Sequence, residues 1–195
     1  MNYLGHAFLS FSEPELLLGN MVADHVKGML AVDALPAGIR KGVLLHRAID
    51  RKADAHRATA RAKILFRQDY GLYAGAITDV VYDHFLANDP RFFPDEASLR
   101  QFSAGVYEML ESLAAYFPQR FAGYFPSMKQ HDWLFHYRFV KGMERSLNGL
   151  RRRAQYMPPV EKAYDTFVSQ YFVLNQCYLD FIDDMISFVK IESQS

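Results

Sequence analysis

An all-α fold is predicted by three features of the sequence. Apolar residues recur at three- and four-residue spacing, no segment alternates apolar and polar residues as a half-buried strand does, and prolines stand where helices would begin. The 195 residues are half hydrophobic and 15% aromatic, which is enough for one full core, and nothing marks a second. The expectation is a single domain over residues 1–195 with roughly seven helices.

The opening MNYLGHAFLSF is apolar, with His6 its only ionisable side chain; by position alone His6 reads as a hydrogen-bonded core histidine. Ser12, Pro14 and Glu15 predict a helix start, with Ser12 as N-cap, and the helix should run to about Lys27 and stop at Gly28. It carries Asn20 and Asp24 one turn apart among Leu16, Leu17, Val22 and Val26. Pro36 opens a second helix, on which His46, Asp50 and Asp54 recur at every fourth position, only about 40° apart around the axis. Leu44, Leu45, Ala48 and Ile49 supply its buried contacts, and a cationic helix through Arg57, Arg61 and Lys63 follows.

Gly71 and Gly75 bracket the start of the next helix, residues 73–86, where Asp79 and Asp83 repeat the one-turn spacing and His84 stands roughly 100° further round. That helix is apolar on nearly every side, so it should be buried and its carboxylates with it. Asn88-Asp89-Pro90 ends it, and Pro94 starts a helix carrying Phe102, Val106, Met109, Leu110 and Leu113. Residues 118–129, rich in Phe, Tyr, Gly and Pro, read as a loop with at most one turn of helix. A helix from about Gln130 puts Trp133, Leu134, Tyr137, Val140, Met143 and Leu147 on one side and ends in Arg151, Arg152 and Arg153, cations that suit helix C-terminal carbonyls. One long helix follows Pro158 and Pro159.

Buried carboxylates need partners. One reading is an internal ion-pair network in which Arg47 or Arg51 meets Asp79 and Asp83. The sharper one is a divalent-metal site between facing helices, because two helices each offer Asp and His at one-turn spacing. Formal net charge is zero, which argues against a general nucleic-acid binder. Between Lys27 and Arg67, however, ten basic residues face only Asp33, Asp50 and Asp54, which suits a phosphate-bearing substrate or an acidic partner steered by residues such as Arg57 and Arg61. Cys177 is the only cysteine, so a disulfide within the chain and a cysteine zinc cluster are excluded. The opening lacks a signal-peptide pattern and no run approaches 18 apolar residues, so no membrane association and a cytoplasmic location are expected.

Several separated segments resemble one family. MNYLGHAFLS, GNMVAD at 19–24, LLHRAID at 44–50, ITDVVYDHFL at 77–86, DWLFHYR at 132–138 and Arg152-Arg153 are similar, in order and spacing, to motifs of the acyl carrier protein phosphodiesterases. The resemblance implies a helical fold related to the HD-domain phosphohydrolases and a manganese site, with Mg²⁺ or another divalent metal as substitutes. It implies hydrolysis of the phosphodiester joining 4′-phosphopantetheine to a serine of holo acyl carrier protein. It bears on His6, Asp24, His46, Asp50, Asp79, Asp83 and His84. The His-Asp doublet of the HD superfamily stands here as Asp83-His84, in reversed order.

Carboxylate and imidazole ligands suit Mn²⁺. His46, Asp50, Asp79 and Asp83 are therefore the expected ligands, with Asp24 close by. A serine leaving group needs either a proton, for which His84 or His6 is the candidate general acid, or a second metal to stabilise its oxygen, and Arg47 or Arg51 is a candidate for neutralising phosphate. Two alternatives stand beside this reading: a related phosphohydrolase acting on a nucleotide or another small phosphoester, and a non-catalytic helical interaction protein.

Overall fold

A computed structural model describes residues 1–154 and 156–194, and these contain helices and no strand. The apolar opening is itself a helix, α1 (Tyr3–Phe8). The next, α2 (Pro14–Val22), starts at Pro14 as expected, but its N-cap is Glu13; no side chain closes a capping box and Ser12 lies in the preceding turn with φ 61°. Instead of reaching Lys27, α2 stops at Val22 and a 3₁₀ turn, Ala23–His25, swings Asp24 off the helix. Gly28, in the left-handed region at φ 80°, then introduces α3 (Met29–Asp33).

The second expected helix is α4 (Ala37–Ala55), with Pro36 before it. It gives way at His56, whose Nδ1 accepts the Ala58 N–H at 3.2 Å and caps α5 (Arg57–Tyr70). After Gly71, at φ 51°, come a 3₁₀ turn and α6 (Ala74–Ala87). A capping box between Asp95 and Ser98 starts α7 (Glu96–Ser112).

Residues 118–129 are not a loop. Pro118 caps α8 (Gln119–Gln130), and the rest belong to it, because Phe121, Phe125 and Met128 sit at helical spacing on one buried face and outweigh the internal Pro126. The single helix expected from Gln130 is interrupted: Asp132, at φ 40°, caps the short α9 (Trp133–His136), and residues 137–139 separate it from α10 (Val140–Arg153). Gly142 permits that turn, since a Cβ there would lie 2.5 Å from the His136 carbonyl oxygen. The C-terminal helix is likewise divided at Gln170 into α11 (Glu161–Ser169) and α12 (Tyr171–Gln194). Short segments and these two breaks make twelve α-helical segments among the described residues where about seven were expected from periodicity.

One cluster of buried side chains runs from Met1 to Val189. Near its centre lies α6, against α1, α5, α10 and α12, which accounts for its apolar character all round. Leu44, expected inside, is 43% exposed. The tightest crossing joins α2 and α4 through Gly19 and Gly42: a Cβ on Gly19 would stand 2.0 Å from the Ile39 carbonyl oxygen, and one on Gly42 2.3 Å from that of Leu16. Among the described residues no helix is long and apolar enough to cross a membrane.

Candidate metal centre

Backbone contact between α2 and α4 places Asn20, the neighbour of Gly19, directly against His46, one turn beyond Gly42. Asn20 is fully buried and serves two histidines at once. His46 Nδ1 donates to the Asn20 backbone oxygen at 2.8 Å, and His6 Nδ1, arriving on α1, donates to the Asn20 side-chain oxygen at 2.8 Å. The Asn20 amide is oriented in turn because its nitrogen donates to the His6 carbonyl and to Ser10 Oγ, both at 3.0 Å. With both Nδ1 atoms donating, each ring turns its Nε2 the other way. The rings stack, with centroids 4.0 Å apart and planes 17° from parallel.

Both Nε2 atoms are buried and lack a well-formed hydrogen bond. They converge on Asp50, one turn beyond His46 on α4: His6 Nε2 is 3.3 Å from Oδ1 and His46 Nε2 is 3.1 Å from Oδ2. Asp24 approaches from the 3₁₀ turn, its Oδ1 3.4 Å from His46 Nε2, and with a side chain 81% exposed it marks the open side. One ligand atom each from His6, His46 and Asp50 lies within 4.8 Å of the others. Two orphaned imidazole nitrogens beside a carboxylate fit a divalent cation, and the nitrogen and oxygen donors suit Mn²⁺ or a similar ion.

The electrostatics agree. Burial, helped by the charge of His46, pushes His6 down to about 4. Burial also acts against the His46 cation, but Asp24 and Asp50 outweigh it and hold that ring up at about 9. Burial opposes ionisation of Asp50, yet the two rings and the Met1 ammonium hold its carboxyl far below the usual carboxylate range. The field that keeps a proton on His46 Nε2 equally favours a metal cation there, which would displace the proton.

The other sequence-predicted residues are placed differently. Asp79 faces the Met1 ammonium at 3.1 Å, and that same ammonium is 3.5 Å from Asp50, so Asp79 borders the cluster. It is the Met1 nitrogen, rather than Arg47 or Arg51, that meets this carboxylate. Asp83 is fully buried and turned to the start of α1, accepting the backbone N–H groups of Leu4 at 2.7 Å, Gly5 at 3.1 Å and Asn2 at 3.3 Å. It fastens the helix that carries His6. His84 faces away: its Nδ1 donates to the Tyr137 carbonyl at 2.7 Å, its Nε2 accepts from Tyr171 Oη at 2.9 Å, and Phe85 and Phe167 enclose it. Arg47 donates to the Val26 carbonyl at 3.1 Å and to Met29 Sδ at 3.6 Å, closing the segment that presents Asp24. Asp54 is drawn outward by Lys63 at 2.6 Å. Asn20, which orients both rings, is signalled in the sequence only by its one-turn spacing from Asp24.

The chain is 27% identical over 186 residues to the acyl carrier protein phosphodiesterase of Enterobacter sp. (strain 638), covering 95% of this chain and 96% of the relative. It is 26% identical over 186 residues to that of Escherichia coli O6:H1, with the same coverage, and 25% identical over 186 residues to that of Photorhabdus laumondii, covering 95% and 93%. No solved structure gives a significant match. The family model described as acyl carrier protein phosphodiesterase matches residues 1–185, nearly the whole chain, and the protein therefore belongs to that family.

Proposed function

We propose that this protein is a metal-dependent phosphodiesterase. It cleaves the bond between 4′-phosphopantetheine and the serine of holo acyl carrier protein, giving apo carrier and 4′-phosphopantetheine. The observation that carries this reading is the convergence of the orphaned Nε2 atoms of His6 and His46 on Asp50, in a chain whose relatives are named for action on the carrier. The fold is read as a variant of the HD-domain phosphohydrolases. In it the reversed Asp83-His84 pair supports the frame, while His46 and Asp50 of α4, with His6, supply the ligands.

A divalent cation such as Mn²⁺ held there supplies polarisation of a phosphoryl oxygen and a water acidic enough to ionise near neutral pH. The chain's own residues do the rest. Asn20 keeps both Nδ1 atoms protonated and both Nε2 atoms aimed at one point. Asp24, exposed, completes the ligand set on the side from which the phosphodiester arrives. Asp79 and the Met1 ammonium border the cluster beside Asp50, and Arg47 fixes the turn that carries Asp24.

The test is release of 4′-phosphopantetheine from holo carrier, measured before chelation, after it, and after Mn²⁺ is returned. Release that stops on chelation and resumes with Mn²⁺ is expected. Equal release in all three conditions would overturn the metal centre, and none in any condition would overturn the reaction.

A further inference from the structure

Beside the metal centre lies a polar chain that no step above uses. Tyr3 stands one turn before His6 on α1, and His25 follows Asp24 in the 3₁₀ turn. Tyr124 of α8 joins them: Tyr3 Oη donates to Tyr124 Oη at 2.9 Å, and Tyr124 Oη lies 2.8 Å from His25 Nε2. Trp133 lies parallel to the Tyr124 ring, with centroids 5.9 Å apart and planes within 5°, and holds it in place. At the head of this chain, from the last turn of α10, Arg153 Nη1 donates to Tyr3 Oη at 2.8 Å, and its Cζ stands 5.4 Å from the Tyr3 ring centroid.

Arg153, like Arg47, is held by neutral groups. Arg61, Lys63, Arg91, Arg100, Lys129 and Lys162 each pair with a carboxylate, whereas Arg153, among the described residues, is held by a neutral phenol and forms no ion pair. A guanidinium carries five N–H donors in a planar fork, so most of those of Arg153 remain for an incoming group. The charges of Arg120 and Lys27 act on His25 together with that of Arg153, while Asp50 and Asp79 stand at the centre. An anion drawn by those cations meets a fork that two tyrosines and a tryptophan have already positioned.

We propose that Arg153, oriented by Tyr3 and Tyr124, is the phosphate-binding arm of the site, its free N–H groups receiving a non-bridging oxygen of the phosphodiester. The inference rests on the phosphodiesterase reading of the metal centre. Tyr3 and Tyr124 are positioning residues here, since they act through Arg153.

Binding of inorganic phosphate to the Mn²⁺-loaded protein, followed by titration calorimetry, tests the arm without requiring turnover. Arg153→Gln should weaken phosphate binding by about 10- to 100-fold, the value of a charge-assisted hydrogen bond or two, with Mn²⁺ stoichiometry unchanged. Arg120→Gln, which removes a charge outside the tyrosine chain, should do much less. Tyr3→Phe should weaken phosphate binding in the wild-type background and change little in an Arg153→Gln background. Phosphate affinity unchanged in Arg153→Gln, or lowered equally in Arg120→Gln, would overturn the assignment. With holo carrier, Asp50→Asn abolishing release while Arg153→Gln leaves it intact would sink the arm alone; failure of the wild type to release prosthetic group would sink the phosphodiesterase reading, and the phosphate titration would still decide the arm.

Discussion

Asp50 and Asp83 are both aspartates one turn beyond another candidate ligand, and a helical wheel gives them equal standing. Their surroundings separate them. Asp50 faces two imidazoles and remains 41% exposed, whereas both Asp83 oxygens are taken by backbone N–H groups. Asp50→Asn should therefore abolish stoichiometric Mn²⁺ binding with the fold retained. Asp83→Asn should keep Mn²⁺ binding and cost about 1–3 kcal/mol in a urea titration, because it weakens acceptors for buried donors. Loss of Mn²⁺ in Asp83→Asn without loss of stability would return Asp83 to the ligand set. His84 supplies a pH prediction. Burial pushes its pKa down to about 4, against the pull of the Tyr137 carbonyl, while an unfolded chain restores about 6.5. The folded value is the lower one, so the unfolded state takes up the proton first, and stability present above pH 6.5 is lost as pH falls toward 4. Between pH 7.5 and pH 5 the wild type should lose about 2 kcal/mol more than His84→Gln does, at about 1.4 kcal/mol per unit. Parallel losses would show that His84 is not the group responsible. The four-residue spacing of His46 and Asp50 was legible in the sequence. Which way Asp83 and His84 point was not, because α6 is apolar all round and its wheel has no solvent side to set the rotation.

At the scale of elements, the centre depends on how closely α2 and α4 approach. Gly42→Ala would thrust a methyl group to within 2.3 Å of the Leu16 carbonyl, with backbone on both sides and nothing flexible to yield. The helices must part, and His46 Nδ1 then draws away from the Asn20 oxygen that orients it. The expected cost is about 1–3 kcal/mol or more from overpacking, with a fall in Mn²⁺ affinity of about 10- to 100-fold from the lost support. Gly105→Ala, in the interior of α7 with open space around the new methyl, should instead stabilise by up to about 1 kcal/mol. If both variants keep wild-type Mn²⁺ affinity, the crossing does not set the ligand geometry. Elements with one clear stripe, such as α4 and α7, were readable from their periodicity and the prolines before them. α8 was not, because Gly123 and Pro126 punctuate a stretch whose register is fixed by Phe121, Phe125 and Met128 packing inward. The break between α9 and α10 was hidden for a related reason: Asp132 at φ 40° and the close approach at Gly142 are tertiary features with no local signature.

Across the whole molecule, net charge is zero while the charges of Lys27, Arg120 and Arg153 act on His25, the neighbour of Asp24. The sequence pointed to Arg57 and Arg61 for steering an acidic carrier, but Arg61 is paired with Asp180, and the cations that act on His25 are better placed. kcat/KM on holo carrier should therefore fall as salt rises, since charges beyond about 10 Å are screened at 0.1 M, and the slope should flatten more in Lys27→Glu with Arg120→Glu than in Arg57→Glu with Arg61→Glu. Equal flattening would spread the encounter surface over both faces. The central claim, that His6, His46 and Asp50 hold the metal that removes the carrier's prosthetic group, is tested most directly by intact-mass spectrometry. Holo acyl carrier protein is incubated with Mn²⁺ and the wild type, His46→Ala or Asp83→Asn, the last at a temperature where it is folded. Conversion to apo carrier by the wild type and by Asp83→Asn, with none by His46→Ala, is the predicted result; full conversion by His46→Ala, or a carrier mass unchanged by the wild type, would contradict it.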